Sequence, residues 1–393
     1  MRTQEMHIVH FSGGRINPAA AKVGSVNVIY WLALEQAKAG HRVSVIVLPE
    51  KRNYESIEDA GFTILEYGSP ACAGFVIDKQ MLRDIDSGAI KIDIAHLHGV
   101  WNPTVAMLAS ALRKRRIPYV VTSHGSFSPG IRQRQALRKW GFKLLFGLPL
   151  VNKSLFVHIH TQDETKDAQD FGVTAPIVVA EQGFSADAIP SGLEPAWLAR
   201  RFPEHRNSFK LIFLGRLDPW HKGIDHLLEA VALARTQVTN IVLFLVGPEK
   251  RRYKSEIPKL IEKLNLKGHA VLVGPLYDPH EKYSALASAD LFVLTSRFEG
   301  FPLAVLDAMA CGVPILVTRG TNAGGMLAGN EAGIVCEGDP KEIAAAIVKA
   351  ASTKDELRSM AARGLELVKN QTWERAAAFL LDEYSRRLKG DAG

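Results

Sequence analysis

Short runs rich in Val, Ile and Leu alternate with longer helical patterns along almost all of this 393-residue chain, in two successive series. Parallel sheets impose such alternation, because every crossover between neighbouring strands must carry a helix, and it excludes all-helical and all-β folds. The first series predicts strands near 7–12, 41–48, 62–66, 92–97, 118–123, 155–160 and 176–180. Residues 184–208 interrupt the rhythm with Pro190, Pro195, Pro203 and mixed charges, the composition of a linker. The second series predicts strands near 210–215, 240–246, 270–274, 290–295, 314–318 and 333–336. The last 40 residues are helical in pattern, with Trp373, Ala377, Leu380, Leu381 and Tyr384 at helical spacing. The expected fold class is α/β, with two Rossmann-like, doubly wound parallel-sheet domains over residues 1–190 and 191–370. A C-terminal helix within 371–393 is expected to pack back on the first of them. Such domains bind ligands at the carboxyl ends of their strands, so a central cleft is the expected place for chemistry.

Charge is uneven along the chain. Lys and Arg outnumber Asp and Glu by 48 to 41, yet residues Ile94 to Gln162 hold ten Lys/Arg and no acid. The remainder therefore carries 38 basic against 41 acidic residues. Cys72, Cys311 and Cys336 are odd in number and far apart, which argues for a reducing compartment and against a disulfide framework or a zinc site. The N-terminus lacks the apolar core of a signal peptide, and no apolar stretch approaches the ~18 residues that cross a bilayer. The cytoplasm, with peripheral contact at the inner face of a membrane, is the expected location.

The strongest local signal is the string from Phe298 to Pro314, between two predicted strands. Pro302 suits the first turn of a helix, so the helix would begin at a strand's carboxyl end with free amides beside Gly300, a seat for phosphate. Glu299 stands just before it, where an acid would repel phosphate unless it faced sugar hydroxyls instead. Asp307 lies about two turns in, able to reach back toward the same pocket. A second signal runs from Phe213 to Gly223, at the end of the first strand of the second series. Gly215 allows close backbone approach, while Arg216 as a fork and Lys222 as a point charge can together neutralise a diphosphate.

In the first series, a long glycine-containing loop from Ser12 to Ser25 joins strand one to a helix. It matches neither a Walker loop nor G-x-G-x-x-G, which disfavours an ATP or nicotinamide enzyme. Strand five ends in Thr122, Ser123, His124 and Gly125, and His96, His98, His158 and His160 end strands four and six. Spacings of two are strand alternation and do not require metal ligands, so no metal and no cofactor are expected.

The combination resembles the retaining nucleotide-sugar glycosyltransferases of family 4, with GT-B architecture. The resemblance spans the glycine loop and Gly40-His41, the segment His98 to Asn102, the segment Pro118 to Gly125, Gly215-Arg216, Lys222-Gly223 and the Glu299 string. It implies that Arg216 and Lys222 bind the donor diphosphate and neutralise the leaving group, and that Gly24 and Gly215 approach the phosphates. It implies also that Glu299 holds sugar hydroxyls, that Gly300, Phe301, Pro302 and Leu303 form the helix end beneath the phosphates, and that His124 lies beside the transferred sugar. The family has two glutamates here; the second is Asp307 in this chain, one methylene shorter. The implied reaction is metal-independent transfer of a sugar from a UDP- or GDP-sugar to a glycan or lipid-linked glycan, in surface or exopolysaccharide biosynthesis. A nucleotide-sugar epimerase of the same fold and a non-catalytic sugar-nucleotide-binding protein are the alternatives.

Residues 131–148 place Leu137, Trp140, Gly141, Leu144, Leu145 and Leu148 on one helical stripe, with Arg132, Arg138, Lys139 and Lys143 elsewhere. Such a helix either lies on anionic lipid or packs into the core with a solvated basic face. Nucleic acid is disfavoured, since no recognition motif accompanies the charge.

Overall fold

The structure is a computed structural model and describes residues 5–11, 24–47, 61–67, 77–133, 136–249 and 255–390. It divides into two compact units, Met1–Gly183 with Trp373–Gly393, and Phe184–Thr372. The change of unit falls before residue 190. Phe184 already bridges to Thr372, and its amide donates to the Gln371 carbonyl at 2.6 Å. The expected linker is likewise part of the second unit: Trp197 and Leu198, on the helix Trp197–Arg201, are buried in its core.

Among the described residues the first unit contains seven strands: β1 (His7–Phe11), β2 (Arg42–Val47), β3 (Thr63–Glu66), β4 (Ile94–His98), β5 (Tyr119–Thr122), β6 (Val157–Ile159) and β7 (Ile177–Val179). They form one sheet in the order β3-β2-β1-β4-β5-β6-β7, every pairing parallel. Strand alternation splits its core in two. Val9, Phe11, Ala95, Leu97, Val121 and Ile159 face one apolar cluster, and Ile8, Ile94, Val120 and Phe156 face the other. The second cluster is closed by the helices Gly24–Lys38 and Trp373–Gly390, which pack on each other. The buried side of the C-terminal helix is Trp373, Ala377, Leu380, Leu381 and Tyr384, the five residues at helical spacing.

The second unit contains β8 (Phe209–Leu214), β9 (Ile241–Val246), β10 (Ala270–Gly274), β11 (Leu291–Leu294), β12 (Ile315–Thr318) and β13 (Ile334–Cys336). Their order is β10-β9-β8-β11-β12-β13, again parallel throughout. In each sheet the strand order reverses once, between β1 and β4 and between β8 and β11. A crevice opens at such a switch point because the crossovers on its two sides leave to opposite faces. Close packing there depends on glycine. Gly223 has φ +62°, and a Cβ on it would collide with the Thr295 carbonyl; a Cβ on Gly247 would collide with the Gly215 carbonyl.

The described residues of the segment 131–148 do not keep the α-helical period throughout. They comprise helices Pro129–Gln133 and Ala136–Phe142, a π-helical turn Lys143–Gly147, and a helix Leu148–Asn152. The π turn inserts an extra residue and so rotates Leu148–Asn152 relative to Ala136–Phe142. Of the expected stripe, Leu148 packs on the core, but Leu137 is 84% exposed, Trp140 62% and Leu145 72%. The core-packed reading of this stripe therefore fails. The lysines turn the other way: Lys139 Nζ sits over the Trp101 ring, 5.2 Å from its centroid, and Lys143 Nζ over Phe171, at 5.0 Å.

Candidate active site

The ends of β8 and β11 assemble the charged cluster. Gly215, at φ +156°, carries the chain out of β8, and Arg216 follows as an exposed side chain. Lys222 Nζ bonds Glu299 Oε1, and the Ser296 hydroxyl donates to the same oxygen at 2.7 Å. Both contacts fall on Oε1, which leaves Oε2 for another donor. Arg216 Nη2 donates to His221 Nδ1 at 3.2 Å, and His221 Nε2 donates to the Phe298 carbonyl at 3.0 Å. Guanidinium only donates and a carbonyl only accepts, so these two bonds fix His221 as the neutral Nε2–H tautomer. Its basicity is lowered, chiefly by burial, in keeping with that state. The His221 ring stacks on Phe298 with centroids 4.2 Å apart, and Asn322 Nδ2 donates to the Glu299 carbonyl at 2.7 Å.

Arg216, Lys222 and Glu299, singled out from sequence, thus lie together with His221, Ser296 and Asn322, which were not. His221 sat inside the motif without a role, and Ser296 and Asn322 gave no signal. The helix after the Glu299 loop spans Leu303–Ala310, with Pro302 extended at its N-cap and no side-chain cap bond. The first amide hydrogen bond of this helix runs from Val305 to the Pro302 carbonyl at 2.9 Å, after the amides of Leu303 and Ala304. Asp307 is engaged elsewhere. Its Oδ2 accepts from Lys282 Nζ at 2.6 Å and its Oδ1 from the Tyr283 hydroxyl at 2.8 Å. Burial first, and Asp307 second, pushes the Tyr283 hydroxyl well above its ordinary range. Both oxygens of this carboxylate are therefore committed to the helix Pro279–Ala287.

The corresponding edge of the first sheet is lined by histidines. His10, His96, His98, Thr122 and His158 share one face in neighbouring registers, followed by His124 and His160 beyond the strand ends. His98 Nδ1 meets His124 Nε2 at 2.9 Å, His10 Nδ1 meets His98 Nε2 at 3.0 Å, and His10 Nε2 meets Gln36 Oε1 at 2.7 Å. His96 bonds Thr122 Oγ1 at 2.5 Å and the Tyr384 hydroxyl at 2.6 Å. Burial lowers the basicity of all six, His10 and His158 to about 4 and His124 to about 3. One ring nitrogen each from His10, His96 and His98 lies within 4.8 Å of the others. His96, however, spends both nitrogens on Thr122 and Tyr384 and stacks on His98 at 17°, so the lone pairs do not converge. Gly24 opens the helix Gly24–Lys38; the rest of the glycine loop, residues 12–23, lies outside the described residues.

Comparison with known proteins places both halves. Residues 23–187 match the family described as glycosyltransferase family 4, and residues 198–366 match glycosyl transferases group 1. The phosphatidyl-myo-inositol mannosyltransferase of Mycobacterium leprae is 26% identical over 299 residues, covering 74% of this chain and 73% of that protein. Among solved structures, sucrose-phosphate synthase from Thermosynechococcus elongatus superposes with a TM-score of 0.78 at 19% identity, over 98% of this chain and 100% of its own. Anabaena HepE in complex with UDP-glucose superposes at 0.73 with 18% identity, over 98% of this chain and 100% of its own. At those identities the structural likeness speaks to the fold.

Proposed function

Because the chain belongs to the family 4 glycosyltransferases, hexosyltransferases of GT-B architecture, we propose that it transfers a sugar from a UDP- or GDP-sugar to a glycan or lipid-linked glycan, with retention and without a metal ion. The carrying observation is the cluster at the ends of β8 and β11, where Lys222 bonds Glu299 and Arg216 bonds the neighbouring His221. Departure of the nucleoside diphosphate concentrates negative charge on its phosphate oxygens. Arg216, Lys222 and the amides at the start of the helix Leu303–Ala310 stabilise that charge without rearranging, the most effective form of electrostatic catalysis. Glu299 has two roles set by its two oxygens: Oε1 orients Lys222, and Oε2 accepts from a donor-sugar hydroxyl. Gly24 and Gly215 supply close backbone approach, and His124 flanks the transferred sugar. No residue is assigned as a nucleophile or general base, since the departing phosphate itself can take the acceptor's proton.

The acceptor belongs to surface or exopolysaccharide assembly at the cytoplasmic face of a membrane in this reading. The exposed Leu137, Trp140 and Leu145 support it, being an apolar patch on the acid-free segment. Among the described residues no helix is long and apolar enough to cross a membrane. The test is a screen of UDP- and GDP-sugars for transfer, with the anomeric configuration of the product read by NMR. Retention is expected; an inverted linkage would sink the mechanism.

A further inference from the structure

The turn after β5 has an unusual backbone. His124 has φ +49° and Gly125 φ +72°, so a residue with a Cβ is held in the left-handed region next to the proposed sugar site. Such a conformation persists only when its surroundings enforce it. Glu164, the first residue of the helix Glu164–Phe171, is in position to do so and is 1% exposed. Its Oε2 accepts from the Ser123 hydroxyl at 2.9 Å, and its Oε1 from the His160 amide at 3.0 Å. The amides of Thr161 and Gly125 also lie close enough to favour its charged form. Every partner is a donor, and they come from both flanks of His124 and from the end of β6.

The His124 ring is held just as firmly. Nε2 meets His98 and Nδ1 meets His160 Nε2 at 3.3 Å, in the series that ends at His10 and Gln36. A neutral imidazole has one N–H and one lone pair, so four rings joined in series must all point the same way. No ring can change tautomer without the others. His124 thus keeps neither a free proton nor a free lone pair in its ring.

We propose that Glu164 is a positioning residue for glycosyl transfer, fixing the Ser123–Gly125 turn so that the His124 ring serves as a strut between His98 and His160 and not as an acid or base. The proposal rests on the transferase reading above, and its test separates the two. Glu164→Gln is nearly isosteric but turns an amide NH2 toward donors, leaving an unmade bond at a buried site. A displacement of about 1 Å at a positioning group costs on the order of 10²-fold. The expected result is a kcat at least tenfold below native, with UDP or GDP affinity within twofold, because Arg216 and Lys222 belong to the other unit. Ser123→Ala, which removes a single bond, should move kcat the same way by a few-fold and serves if Glu164→Gln fails to fold. Imidazole 15N spectra supply a readout independent of turnover: signals of His124 and His160 should shift in Glu164→Gln and in Ser123→Ala. Unchanged kcat in a variant of a turning-over native enzyme overturns the proposal, as do unchanged imidazole signals. Absence of turnover in the native chain across all donors, with the spectral shift present, counts against the transferase reading and leaves the clamp standing.

Discussion

The two sheets present the same edge, the carboxyl ends of strands flanking a switch point, and fill it with opposite chemistry. At the end of β8 and β11 stand Arg216, Lys222 and Glu299, charged and partly open. At the end of β1, β4, β5 and β6 stand six histidines kept neutral by burial and hydrogen-bonded largely to one another. A fold alone does not decide what its edge does; the side chains at the strand ends do. Fixed charges suit a diphosphate that enters and leaves charged, whereas a neutral, interlocked edge suits shape and orientation. The charge count along the sequence points elsewhere, since the basic excess belongs to the first unit. Of those cations, Lys139 and Lys143 sit on aromatic rings, and Arg115 pairs with Asp86 at 2.6 Å.

Acid should break this comparison most strongly. Histidine ordinarily titrates near 6.5, and here His10 and His158 are lowered to about 4 and His124 to about 3, with His96, His98 and His160 lowered too. The unfolded chain therefore takes up protons first. The stability these residues allow is whole above pH 6.5 and is lost as pH falls toward about 4. Glu164 opposes them, since burial raises it to about 7 and the folded chain takes up that proton before the unfolded one. Each tenfold difference in proton affinity is worth ~1.4 kcal/mol, so six histidines outweigh one carboxyl. Calorimetry with peptide-resolved hydrogen exchange between pH 7.5 and 5 should show the first unit opening well before the second. Parallel loss in both units would remove the contrast.

Lys222→Ala comes next. Removing a cation aimed at the leaving group should lower kcat by about 10²-fold or more, as loss of one preorganised donor does elsewhere. Steady-state transfer rates measure it, and a change confined to KM would mean that Lys222 binds the donor without assisting departure. Smaller again is the lipid effect. Leu137→Ser removes an exposed apolar side chain worth roughly 1.5 kcal/mol of burial, so partition onto vesicles should fall about tenfold. Arg138→Gln, on the same helix, should cost a few-fold and only on anionic vesicles. Sedimentation with neutral and anionic liposomes distinguishes insertion of the patch from simple charge attraction.

The fold was legible because parallel strands buried on both faces read as continuous apolar runs: each strand among the described residues lies within two residues of its predicted run. The charged edge was legible for a related reason. Arg216, Lys222 and Glu299 flank glycines and a proline that only a strand-to-helix turn requires. What sequence spacing could not supply was who pairs with whom. Glu164 gave no sign of the Ser123 and His160 that it meets. Asp307 gave no hint of Lys282 and Tyr283, because helix-to-helix contacts depend on packing. Gln36 and Tyr384, which hold His10 and His96, come from helices at opposite ends of the chain.

The finest distinction between the two edges lies in their histidines, and His221 tests it. Unlike His124, whose ring nitrogens meet only other imidazoles, His221 joins a cation to a backbone carbonyl and so holds Arg216 in place. His221→Phe preserves a ring against Phe298 but removes the acceptor for Arg216. The expected outcome is a threefold to fivefold weaker donor affinity, about 0.7–1 kcal/mol, the ordinary net value of one hydrogen bond. Protonation of His221 would abolish the same acceptor, and burial lowers its titration below the ordinary 6.5. Donor affinity of the native chain should therefore hold through neutral pH and weaken only on further acidification, in a step that His221→Phe lacks. Calorimetric titration with UDP and GDP reads both effects, and a variant with native affinity and the native acid step would show that Arg216 is oriented by the diphosphate itself.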